Sequence, residues 1–199
     1  MAGKAGRRLW HLIGGSLFPI LAFFVSEQTL LIALSAVTFA FLIMESIRLL
    51  SSRANELFSR YFHGMLKEEE RWRPTGSSYL LVASLLAFLL FDRDVAIACL
   101  FFLAVGDPMA ATFGEQPGSR RAFGWGWHAW GWRGGLACFL SCVAIGLVLT
   151  QVGLDISPFL IMVGSAAAAL ITLLPWPIDD NLIIPLFSGG VMTLIIACG

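Results

Sequence analysis

The stretch VAIACLFFLAVGDPMAATF, residues 95–113, decides how the rest of the chain is read. It is apolar over the length a helix needs to cross the hydrocarbon core of a bilayer, about 20 residues. Yet it holds one carboxylate, Asp107, with no other charge from Ala96 to Gly114. An ionisable group within a span costs roughly 2.5–3.5 kcal/mol or more to insert and marks a functional candidate by default. Six further stretches share the apolar character: approximately Leu9 to Val25, Thr29 to Leu50, Ser77 to Phe91, Gly135 to Val152, Pro158 to Trp176 and Asn181 to Cys198. They leave no room for a separate soluble domain. Residues 1–199 therefore read as a single integral membrane domain, an all-α polytopic bundle of about seven transmembrane helices. Pro19, Pro175 and Pro185 are expected to kink or end their helices.

Composition agrees: 58% of residues are hydrophobic, 13% are charged and the mean hydropathy is +0.82, against about 25% charged residues in a typical soluble domain. The formal net charge of zero provides no field to hold nucleic acid through its phosphates, so no nucleic-acid partner is expected. Cys99, Cys138, Cys142 and Cys198 all lie in apolar runs without metal-ligand spacing, which indicates neither disulfides nor zinc. The first run leads through Ser26 and Glu27 directly into the second with no small-residue cleavage site, so it is expected to stay as a membrane helix rather than leave as a signal peptide.

Orientation follows from where lysine and arginine sit. Lys4, Arg7 and Arg8 precede the first span. Arg48, Arg53, Arg60, Lys67, Arg71 and Arg73 lie between the second and third, and Arg120, Arg121 and Arg133 between the fourth and fifth, leaving Arg93 alone on the other side. Seven spans with a cytoplasmic N-terminus and an outside C-terminus fit that split. Between Ser52 and Arg73, Leu57, Phe58, Tyr61, Phe62, Met65 and Leu66 recur at helical spacing among charges, which predicts an amphipathic helix lying on the cytoplasmic surface. Trp125, Trp127, Trp130 and Trp132 among glycines read as an interfacial belt.

Under this topology the unusual polar residues gather at one face. Arg8 and His11 open the first span, Glu45 and Arg48 close the second, Glu68 to Glu70 with Arg71 and Arg73 precede the third, Asp107 ends the fourth, and Asp179, Asp180 and Asn181 start the seventh. Several have plain structural readings: Glu45 and Arg48 as a helix pair worth a few tenths of a kcal/mol, an aspartate as a helix cap, and His11 as an interfacial histidine. Together, however, aspartates are hard ligands of the kind magnesium takes beside substrate phosphates, and arginines fork onto phosphate oxygens. The face therefore has both halves of a phosphoryl-transfer site.

The order of RRLWH (7–11), ESIR (45–48), EERWRPTG (69–76), GDPMAATFG (106–114) and IDDNLIIPL (178–186) resembles the dolichol kinase, phytol kinase and CTP-dependent diacylglycerol kinase family over nearly the whole chain. GDxxAxxxG and DDNxxxP are its specific parts. The resemblance implies a polytopic enzyme that uses CTP with a magnesium ion to phosphorylate a membrane lipid alcohol at the cytoplasmic face. It makes Asp107 the leading residue for metal and nucleotide phosphate, with Gly106 and Gly114 allowing close backbone approach. Asp179 and Asp180 would share metal binding and deprotonation of the alcohol, and Arg8, His11, Arg48, Glu70, Arg73 and Asn181 would line the nucleotide pocket. One departure stands out: where the family has Lys-Ser/Thr-x-Glu-Gly, this chain reads WGWRG at 130–134, without the lysine and carboxylate. That departure supports a catalytically silent binder of prenyl lipid or lipid phosphate as the second reading. A third, a transporter, would want polar groups in both halves of the membrane. The related membrane cytidylyltransferases share part of the architecture, but their extended basic C-terminal signature is not seen. The lipid alcohol stays open, as does the oligomeric state, because small residues such as Ala166 to Ala169 suit packing within a chain and between chains alike.

Overall fold

The computed structural model describes residues 2–62, 66, 68–114, 131–174 and 176–199, with the side chains at 2–5, 7, 8, 10, 68 and 69 outside the description. Its described residues are helical with no strand: α1 (Ala2–Ala22), α2 (Glu27–Leu50), α3 (Ser52–Tyr61), a 3-10 turn (Glu68–Trp72), α4 (Gly76–Leu90), α5 (Arg93–Phe101), a π turn (Phe102–Gly106), α6 (Asp107–Gly114), α7 (Trp132–Gln151), α8 (Pro158–Leu173) and α9 (Asp180–Cys198). Among the described residues, four helices are long and apolar enough to cross a membrane: Glu27–Leu50, the continuous rod Arg93–Gly114, Trp132–Gln151 and Asp180–Cys198. His11–Ala22, Gly76–Leu90 and Pro158–Leu173 are shorter apolar helices packed among them.

The rod Arg93–Gly114 is the axis of the bundle. Its apolar window is 72% buried, against 22–33% for the other three long helices. A helix hydrophobic all round belongs in the interior, whereas one apolar helix face left open in a chain this hydrophobic is suited to lipid. Phe39 on α2, Leu140 on α7 and Leu194 on α9 are such outward residues. Packing is close where side chains are missing. A Cβ on Gly15 of α1 would meet Ala104 Cβ at 3.0 Å and Leu80 Cδ1 at 3.9 Å, so α1, α4 and the rod touch in one layer.

The helix ends are satisfied locally. Ser26, Ser51 and Ser157 cap α2, α3 and α8 by accepting from Thr29, Ala54 and Leu160 amides. Away from the polar face, Arg93 donates to Ala22 O and so closes the C-terminus of α1, while Asp94 accepts from the Asp155 amide at 2.9 Å and ties down the loop before α8. Arg93 is thus a helix-end clamp.

Two expectations are refined. Helices α1 and α9 continue past Pro19 and Pro185, so neither proline ends its helix; α8 ends at Leu173, shortly before position 175. Neighbouring helices and side chains make a proline tolerable inside a packed apolar bundle, and Ser188 Oγ donates to Ile184 O at 2.7 Å in the turn after Pro185. The amphipathic stretch 52–73 is also two pieces rather than one helix, α3 and the 3-10 turn. The backbone carbonyls of Glu70, Arg71 and Arg73 accept from Arg48, that of Glu70 while also taking the Arg73 amide. On α3, Asn55 faces inward, and Leu57 and Tyr61 outward.

Candidate functional site

The polar residues of the expected cytoplasmic face fall into three groups. The first is a pair. Asp107 comes directly after the π turn and opens α6, its amide donating to Leu103 O. A π turn inserts an extra residue per turn and rotates the remainder of the helix, a feature common at functional sites. His11 Nε2, buried on α1, lies 3.4 Å from Asp107 Oδ2, inside ion-pair range but off the hydrogen-bond direction. The two side chains are 14% and 22% exposed, so the pair is largely screened from solvent but open on one side.

The second group is a buried knot. Glu45, Arg48 and Asn55 are 3%, 2% and 1% exposed. Arg48 Nε and Nη2 donate to the two oxygens of Glu45 at 3.1 and 3.0 Å. Its Nη1 donates to Asn55 Oδ1 at 2.9 Å and to the carbonyls of Glu70 and Arg71 at 3.3 and 3.2 Å, and Nη2 reaches Arg73 O at 2.6 Å. Phe58 covers the guanidinium, 5.1 Å from the ring centre. A guanidinium offers five N–H donors in a fixed fork, and all are engaged within the protein. Glu45 Oε1 also accepts from the Thr75 amide at 2.6 Å.

The third group lies where α4 and α9 begin. Glu70 Oε1 accepts from the Gly76 amide at 3.0 Å. Asp179 Oδ1 accepts from the Asn181 amide at 3.0 Å and from Asn181 Nδ2 at 2.6 Å, capping α9. A Cβ on Gly76 would fall 2.8 Å from Asn181 Nδ2, so the two helix starts abut with no room for a side chain between them. Asp180 is half-buried in the first turn of α9, and the Arg73 side chain is exposed.

These groups share one end of the bundle, for a reason readable from the packing layer. Gly15, Ala104 and Leu80 touch; His11, Asp107 and Gly76 lie only three or four residues from that layer along their helices, a rise of roughly 4–6 Å.

Several expected roles are replaced by others. Arg48 does not line a nucleotide pocket, because every N–H it has is spent on Glu45, Asn55 and three carbonyls. Gly106 faces α7 rather than an open cleft: its Cβ would sit 2.6 Å from Cys142 Sγ and 2.9 Å from Cys138 Sγ. Gly114 is buried at the end of α6. The single pocket expected from Asp107, Asp179 and Asp180 is not formed. Among the described residues no three His, Cys, Asp or Glu side chains converge as an ion-holding group, because Asp107 turns to α1 and Asp179 folds back to cap its own helix. Magnesium itself asks for less, one or two carboxylates with water and substrate phosphate completing its shell. Asp107 fits that smaller requirement. The Arg8 side chain, Lys67, Pro175 and the loop with Arg120, Arg121, Trp125, Trp127, His128 and Trp130 lie outside the described residues.

Sequence reasoning missed Asn55 and Thr75 as members of the knot. The one signal available was Glu45 and Arg48 at i and i+3, which reads as a weak surface pair until burial is known. Compared with known proteins, no family model matches the chain, and no solved structure does. The chain is similar to an uncharacterized protein of Rickettsia prowazekii (strain Madrid E), RP860, with 25% identity over 186 residues that take in 90% of this chain and 88% of that one.

Proposed function

We propose that this protein is a seven-span membrane phosphotransferase that moves the γ-phosphate of CTP to the hydroxyl of a membrane lipid alcohol at the cytoplasmic face. The observation that carries this reading is the largely screened Asp107–His11 pair at the polar end of the central helix, together with the resemblance of residues 106–114 and 178–186 to the polyprenol kinase family. In this reading the three shorter apolar helices, His11–Ala22, Gly76–Leu90 and Pro158–Leu173, cross the membrane beside the four longer ones.

In this reading the lipid hydroxyl attacks the γ-phosphorus, the bond from that phosphorus to the bridging oxygen breaks, CDP leaves and the hydroxyl proton is lost to water. A bound magnesium ion would draw charge from the phosphate oxygens. The protein supplies alignment and compensation of spreading negative charge, which are most of what phosphoryl transfer requires. Asp107 holds the metal side of the nucleotide, His11 orients Asp107, and the exposed Arg73 meets the phosphates.

The test is a screen of the four nucleoside triphosphates against long-chain prenols, phytol and diacylglycerol, with the purified protein in lipid nanodiscs and magnesium. Transfer from CTP to one alcohol class is expected. Absence of transfer from every nucleotide to every alcohol would overturn the kinase reading. The second reading, a silent binder of prenyl lipid phosphate, draws on the engagement of Arg48 and Glu70 inside the fold, and predicts saturable binding of a prenyl phosphate without turnover.

The span count has its own check. Cys198 is exposed at the end of α9, whereas Cys99, Cys138 and Cys142 are buried. In right-side-out vesicles a membrane-impermeant maleimide is expected to label the intact protein once, at Cys198, and the Cys198→Ser variant not at all. Labelling of Cys198 only from the cytoplasmic side would reject seven spans with a cytoplasmic N-terminus.

A further inference from the structure

The connection between α3 and α4 has little to hold it by burial: Arg71, Trp72, Arg73 and Pro74 are all exposed, with Trp72 at 62%. Yet its course is fixed through its own carbonyls. Those of Glu70, Arg71 and Arg73 all accept from Arg48, and Arg71 O takes a further bond from Asn55 Nδ2 at 2.9 Å. We propose that Arg48 and Asn55 are positioning residues, through which the surface helix α3 sets the path of residues 70–76 and thereby the place of Glu70 and Gly76 against Asn181.

The chain of contacts is continuous. Asn55 sits on α3, bridges Arg48 and Arg71 O, and so joins α3 to the last turns of α2 and to the connection at one point. Four and five residues further on, Glu45 receives the Thr75 amide and Glu70 the Gly76 amide, which starts α4 at a fixed position. Gly76 then abuts Asn181, whose side chain is held by Asp179. Only a planar fork can reach Glu45, Asn55 and three carbonyls at once; a lysine ammonium has three donors at a single point. The sidedness of Asn55, acceptor to Arg48 and donor to Arg71 O, makes it the part through which a shift of α3 reaches the helix starts. This role does not depend on which reaction the site performs.

Hydrogen exchange of the full-length protein in lipid nanodiscs tests it, since exchange reports local opening segment by segment. Asn55→Ala and Arg48→Lys are each expected to speed exchange of the 70–76 amides by about tenfold and of the Asn181–Ile183 amides several-fold, with α5 and α7 at wild-type rates. Trypsin cleavage after Arg71 and Arg73 should rise in parallel. Asn55→Asp keeps the oxygen for Arg48 and loses the donor to Arg71 O, so it should fall between wild type and Asn55→Ala. Unchanged exchange at 70–76, acceleration that stops short of Asn181, or acceleration spread evenly over all helices in both Asn55 variants would overturn the proposal. These readouts need no turnover, so they stand or fall apart from the kinase reading.

Discussion

Replacing Arg48 by methionine is expected to lower the stability of the detergent-solubilised protein by about 3–5 kcal/mol, the cost of breaking a buried ion pair from one side. The physical reason is what remains. Glu45, 3% exposed, would keep the Thr75 amide but lose both guanidinium bonds, and Arg73 O would lose its guanidinium donor, whereas Glu70 O keeps the Arg73 amide and Arg71 O keeps Asn55 Nδ2. An abandoned buried acceptor costs about 1–3 kcal/mol each, less where water can enter. Pairing the change with Glu45→Gln should recover part of the loss, since removing both charges relieves the uncompensated one. Unfolding in mixed micelles followed by loss of helical signal measures both variants. An Arg48→Met protein within about 0.5 kcal/mol of wild type, the usual range for an unimportant surface change, would show that the knot contributes nothing to the fold.

Asp107→Asn is expected to behave in the opposite way. If phosphoryl transfer is the activity, removing this charge should reduce kcat by about 10²–10³-fold, the scale for losing one preorganised electrostatic group. Stability should hold or rise, because a carboxylate at the end of a largely buried helix carries a desolvation cost that the amide avoids. Asparagine also keeps the shape beside His11. Steady-state kinetics and thermal unfolding on the same preparation provide the comparison. A parallel fall of activity and melting temperature would mark Asp107 as a structural residue and remove the main support for the proposed reaction.

The contrast between Arg48 and Asp107 shows where sequence reading works and where it stops. Asp107 is conspicuous because everything around it in the chain is uncharged; its isolation is a local property, and so is the cost that makes it informative. Arg48 lies among other arginines and three residues from a glutamate, an arrangement that resembles any exposed helix pair. Its fate depends on carbonyls of residues 70, 71 and 73, far along the chain. Gly106 misled in the same way. Beside Asp107 it looks like backbone kept bare for a ligand, but the atoms that require its bareness are the Cys138 and Cys142 sulfurs on another helix.

What the sequence determined alone is the helical, membrane-suited architecture. The apolar runs and the helices agree to within a few residues, from Glu27–Leu50 to Asp180–Cys198, because span length and hydrophobicity are carried by neighbouring residues and need no partner. Tertiary structure alone decided which helix is central, that Glu45, Arg48 and Asn55 form a buried knot, and that Asp107 turns to His11 while Asp179 caps its own helix. Each of these depends on which faces of distant helices meet, and hydrogen bonds and ion pairs act over a few ångströms in space whatever the separation along the chain.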